Sequence, residues 1–97
     1  MDIEKIEKYL KTYLDDVITP EINDMLVGED DEPIVMSLHK VRYGESNPNR
    51  ISIFIDMEPD YSKGSISNKI HNDLSNFLTM LGLEKTLHVY YNKRPLF

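Results

Sequence analysis

His39, His71 and His88 are the chain's imidazoles. Three imidazoles can hold a zinc ion when a fourth ligand joins them and hydrogen bonds fix the rings. Their spacing offers no local pair such as His-x-x-x-His, so they are expected to stand apart as ordinary surface or half-buried histidines. Asp56-Met57-Glu58 sets two carboxylates at the end of an expected strand, where a metal-dependent nuclease could use them, yet no acid-x-Lys pair follows on a later strand. Glu29-Asp30-Asp31-Glu32 offers consecutive carboxylates to a calcium ion, which takes about six to eight oxygens. The tetrad lacks the alternating acids and the glycine of a calcium loop, and a solvated acidic loop is the simpler reading. Cysteine is absent. Ser37, Ser46, Ser52, Ser62, Ser65, Ser67 and Ser75 sit in no nucleophile-elbow pattern, and the few glycines form neither a phosphate cradle nor a dinucleotide fingerprint. No catalytic residue, metal or cofactor is therefore expected, and the chain reads as non-enzymatic.

Two surfaces fit binding instead. Ser67, Asn68, Asn72, Ser75, Asn76 and Thr79 share the outer face of an expected helix, polar but uncharged. Depletion of charge is characteristic of the buried centre of a protein interface, although drift in an A·T-rich genome would leave the same asparagines. The other surface is basic. Lys40, Arg42 and Arg50 flank an expected hairpin loop, Lys93 and Arg94 follow the last expected strand, and Tyr43, Tyr90 and Tyr91 lie near enough in sequence to stack on bases. Scattered solubilising charge is the plain alternative. A protein partner held by the helix face or by an exposed sheet edge is the first expectation, and RNA held by the basic hairpin is the second.

The elements that must position these residues follow from periodicity. Ile3, Ile6, Tyr9, Leu10, Tyr13, Leu14, Val17 and Ile18 recur at three- and four-residue steps, which predicts an amphipathic helix capped by Asp2. Glu4–Lys8 and Glu7–Lys11 support it as i,i+4 pairs. Pro20 predicts a break near Ile18 or Thr19, then a short helical piece carrying Ile22, Met25 and Leu26. Asp15 and Asp16 would then sit at the unfavourable end of the helix dipole, unless the helix continues past a kink. Gly28 to Pro33 reads as a loop. Ile34 to Tyr43 reads as a strand whose inward residues change parity, so that Ile34, Met36 and Leu38 agree with Val41 and Tyr43 only if a bulge falls near His39–Lys40. Gly44 to Asn49 is a hairpin connection. Arg50 to Met57 alternates Ile51, Ile53, Ile55 and Met57 against Ser52, Phe54 and Asp56, the clearest strand. A serine at or near Ser65 is expected to cap a helix bearing Ile66, Ile70, Leu74, Phe77, Leu78 and Leu81, with Gly82 as its left-handed stop. Thr86 to Tyr91 is a third strand.

The expected fold is therefore α+β, a single domain over residues 1–97 in the order α-β-β-α-β, with two amphipathic helices packed on one face of a three-stranded sheet. Residues 1–32 form its acidic helical segment, and residues 33–97 its hairpin, second helix and final strand. The net charge of −6 divides unevenly: the first 32 residues carry eleven acids against three lysines, and the remainder six acids against eight basic residues. A mildly acidic whole disfavours non-specific nucleic-acid binding and leaves a local basic site open. Residues 1–4 lack the basic and apolar regions of a signal peptide, and no apolar run approaches the ~20 residues of a membrane span, so a cytoplasmic protein that does not touch membrane is expected. The two edges of a three-stranded sheet also allow a homodimer by strand pairing.

The element order, the strand Ile51–Asp56 ending in acid, and Arg94-Pro95-Leu96 after the last strand resemble the N-terminal domain of the ribosome maturation factor family RimP. That resemblance implies a non-catalytic role on the small ribosomal subunit. The chain departs from the family just before the tripeptide, where Tyr90-Tyr91-Asn92-Lys93 replaces a serine- and glycine-containing segment. The topology is also similar to the K-homology group of RNA-binding domains, without its Gly-x-x-Gly loop. Short length and a composition rich in lysine, asparagine and tyrosine fit a viral or phage accessory protein.

Overall fold

The computed structural model describes residues 2–26, 33–44, 46–47, 49–60, 64–83 and 86–93. The acidic tetrad Glu29–Glu32 and Arg94 lie outside them. The chain forms α1 (Ile3–Tyr13), a π-helical turn (Leu14–Ile18), α2 (Thr19–Met25), β1 (Val35–Tyr43), β2 (Arg50–Glu58), α3 (Gly64–Met80) and β3 (Thr86–Tyr91).

Asp2 caps α1 by accepting a hydrogen bond from Lys5 N (3.0 Å), which satisfies one of the free donors of the first turn. The expected break at Pro20 does not occur. The helix instead widens into the π turn, where Thr19 N donates to Leu14 O, five residues back. A proline in a regular α-helix clashes with the carbonyl four residues earlier; the wider turn displaces that carbonyl and lets Pro20 sit in the first turn of α2. The same turn realigns the apolar stripe. Ile6, Leu10, Leu14, Ile18 and Ile22 repeat every four residues, and none is more than 1% exposed. In a straight α-helix such a repeat drifts by about 40° per step, and a turn of i→i+5 pitch winds it back. Asp15 and Asp16 consequently lie mid-helix and exposed, not at a helix C-terminus.

The sheet has the order β1-β2-β3, with β1 antiparallel and β3 parallel to the central β2. The register of β1 shifts between Leu38 and Lys40. His39 is thus the extra residue of a bulge, as the parity change required, and it returns Val41 and Tyr43 to the side of Met36. At the hairpin, Gly44 N donates to Arg50 O (2.9 Å) and Arg50 N to Asn47 O (3.0 Å). A Cβ on Gly44 would stand 2.6 Å from Asn47 O, so the turn admits no side chain there. Ser65 lies within α3, not ahead of it. At the other end, Gly82 (φ +82°) closes the helix as expected: Gly82 N donates to Thr79 O and Leu83 N to Leu78 O, both at 2.9 Å, the Schellman pattern.

One buried cluster joins the stripe of α1 to α2 with Ile34, Met36, Val41, Ile51, Ile53, Ile55, Met57, Ile70, Leu74, Leu78 and Leu87. Tyr13 stacks on Phe77 (centroids 4.2 Å apart, 12° between planes), and Lys69 bridges Glu21 (2.9 Å) and Asp73 (3.0 Å). Ascending positions in the first helical run thus meet descending positions in α3, so the two lie antiparallel. No helix among the described residues is long and apolar enough to cross a membrane.

The two sheet edges are treated differently. On the outer edge of β1, Val41 N donates to Glu7 Oε1 (3.3 Å). Beyond its start, the Asn23 amide pairs with both backbone groups of Ile34 (Ile34 N to Oδ1 2.8 Å, Nδ2 to Ile34 O 3.1 Å). On β3, Thr86 N reaches Asn49 O, so even-numbered residues bond toward β2 and the odd ones point outward. His71 Nε2 lies 3.3 Å from Leu87 O. Among the described residues nothing pairs with the outward backbone groups of Val89.

Candidate functional site

Alternation along β2 sends Ile51, Ile53, Ile55 and Met57 into the core and turns Arg50, Ser52, Phe54, Asp56 and Glu58 to the opposite side. The register aligns Lys40 with Phe54, Arg42 with Ser52 and Ser37 with Asp56 on β1, and His88 with Ser52 and Tyr90 with Phe54 on β3. This opposite face therefore carries an aromatic pair flanked by three cations. Phe54 and Tyr90 are stacked, their centroids 5.0 Å apart and their planes inclined by 18°. Phe54 is only 9% exposed yet is not part of the core cluster; it is covered on its own side of the sheet. Arg50 Nη2 donates to Tyr90 Oη (2.6 Å), while Arg50 Nε is buried without a hydrogen-bond partner. A buried donor left unpaired is costly.

The expected basic set is divided by this geometry. Lys40, Arg42 and Arg50 come together on the hairpin half of this opposite face, the open face among the described residues. Lys93 follows β3, whose last residue aligns with Ile55, and so lies at the other end. The expected tyrosine group is corrected: Tyr43 and Tyr91 pack against the core cluster because their parity is that of Ile51 and Ile55, and Tyr90 alone of the three faces outward. Phe54, which the sequence reading left among polar residues, takes their place. Its signal was legible: an aromatic at an outward position, in a strand whose opposite parity was already filled by isoleucine.

On α3, Asn68, Asn72, Asn76 and Thr79 are exposed and Ser75 is half-buried. Thr79 Oγ1 donates to Ser75 O (3.1 Å) within the helix. A groove of about 420 Å³ is lined by Lys8, Tyr9, Thr12, Tyr13, Asp16 and Val17 of the first helical run and by Phe77 of α3. Past Phe54 the open face becomes acidic: Asp56, Glu58 and Asp60 line a cleft of about 690 Å³ with Val35, Ser37 and Asn92. Asn92, in the left-handed region at φ 56°, seals the rim, its Oδ1 accepting from Met57 N (2.8 Å). The histidines are dispersed: His39 at the bulge, His71 on α3 and His88 on the open face. No group of three or more potential metal ligands occurs among the described residues.

Comparison with protein-family models, with curated proteins and with solved structures gives no match.

Proposed function

We propose that this chain is a non-enzymatic binding module that holds single-stranded nucleic acid, RNA in the first place, on the open face of its sheet. In this reading both amphipathic helices cover the other face. The shared core cluster and the Tyr13–Phe77 and Lys69–Glu21 contacts support that arrangement. The observation that carries the proposal is the Phe54–Tyr90 stack set among Lys40, Arg42 and Arg50. Aromatic rings accept bases whatever their sequence, and cations beside them take the phosphates. A cytoplasmic location fits such a ligand.

The test is a fluorescence titration against a mixed single-stranded RNA pool at several salt concentrations. Three phosphate contacts imply a log–log salt slope of about −2. Replacing Arg42 and Arg50 together by Ala is expected to flatten it by about one unit or more, whereas Lys5→Ala with Lys8→Ala on α1 leaves it unchanged. Absence of binding tighter than about 100 μM at low ionic strength, the weak limit of non-specific association, would sink the proposal.

A second reading, a protein partner held by α3, is favoured by the exposed, uncharged residues Asn68, Asn72, Asn76 and Thr79 with half-buried Ser75. Asn72→Glu with Asn76→Glu would abolish capture there by desolvating unpaired charge, with folding retained.

A further inference from the structure

We infer that the open face takes a short stretch of single strand, about two to four nucleotides, because its charge changes sign halfway along β2. This inference rests on the proposed nucleic-acid reading. Arg50, Ser52 and Phe54 occupy the hairpin half, beside Arg42 and Lys40. The span from Arg50 to Phe54 is about 13 Å at the usual strand rise, room for about four stacked nucleotides or two to three extended ones. A backbone continuing past Phe54 meets Asp56 and then Glu58, which lie about 7 and 13 Å further along the same face. Repulsion of a phosphate by the nearer carboxylate falls within the Debye length of roughly 8 Å at physiological ionic strength, and the cleft beyond is lined by Asp60 as well. Crossing the strands instead of following them gives no longer track. Three strands span only about 10 Å from first to last, and at the β1 edge Glu7 of α1 takes the Val41 amide while Asn23 of α2 holds Ile34 just before the strand. Either path ends after a few nucleotides, which favours loops and strand ends over long unpaired tracts.

The experiment is a length series of labelled oligouridylates of two, four, eight and twelve nucleotides, titrated against the intact chain. Affinity is expected to rise from two to four and then change by less than about twofold beyond the statistical gain from extra sites. In Asp56→Asn with Glu58→Gln, affinity for the eight-nucleotide probe is expected to rise at least about threefold and that for two nucleotides to stay the same. Thermal unfolding verifies that the variant folds; if it does not, the wild-type series decides alone. Wild-type affinity that keeps climbing through twelve nucleotides, or a folded variant that treats all lengths alike, overturns the inference. Failure to bind any length overturns the nucleic-acid reading itself.

Discussion

Ile53 and Phe54 are sequence neighbours on one strand, both largely hidden from solvent, and they belong to different parts of the molecule. Ile53 sits among aliphatic side chains from every helix and strand. Phe54 has one ring stacked on it and a lysine as its cross-strand neighbour. Burial by many apolar neighbours makes a core. Burial outside that cluster, with one described ring stacked on it, makes a small apolar patch on the other side of the sheet. The two states cannot be told apart by exposure alone.

Three measurements would break or sharpen this contrast. Ile53→Ala has the largest expected effect, a loss of about 2–5 kcal/mol of stability in chemical denaturation, from lost transfer energy and the cavity left behind. Phe54→Ala is expected to cost less, about 1–3 kcal/mol, while weakening single-strand binding by about tenfold or more, the scale of one lost base stack. Equal stability losses at the two positions would make the open face a second core and end the distinction. The smallest effect concerns pH. Tyr13 has its pKa raised above 10.0 by burial, then by the charges of Asp73 and Glu21. Burial also raises that of Tyr91, and hydrogen bonds to Glu21 and Asp73 raise that of Lys69 above 10.5. Each group holds its proton more tightly folded than unfolded. Their contribution is therefore complete below about pH 10 and is lost as pH rises through the folded values. Tyr13 and Tyr91 pack against the core cluster, and Lys69 lies on α3. Stability in urea is expected to fall as pH rises above about 10, with Lys69 supplying no more than about 1 kcal/mol after screening, and Tyr13→Phe with Lys69→Met should lessen the fall.

Much of the fold was legible in the sequence because the apolar pattern of each element was nearly pure. Val41 and Tyr43 on the wrong parity from Met36 pointed to a bulge near His39–Lys40, where the register does shift, and Gly82 marked the end of α3. Pro20 misled because its local rule assumes a regular α-helix, and nothing local announces a π turn; the strict four-residue repeat from Ile6 to Ile22 was the available clue. The site was less legible. Which strand lies beside β2, and in which direction, decides that Tyr90 meets Phe54 and that Lys93 sits far from Arg50. That pairing is a tertiary fact which no strand's own pattern contains. The capture of Ile34 by Asn23 and of Val41 by Glu7 was invisible for the same reason.

Those two captures have a consequence for assembly. A sheet with two receptive borders can accept a strand on each and grow without limit, as fibres do. Here Glu7 takes the Val41 amide on the β1 border and Asn23 holds Ile34 just before it, while among the described residues nothing pairs with the outward backbone groups of Val89 on the β3 border. A second copy that joins through its own β3 border uses the one receptive border of each chain, so such a pair closes on itself. Concentrated solutions should yield a finite complex and not a filament.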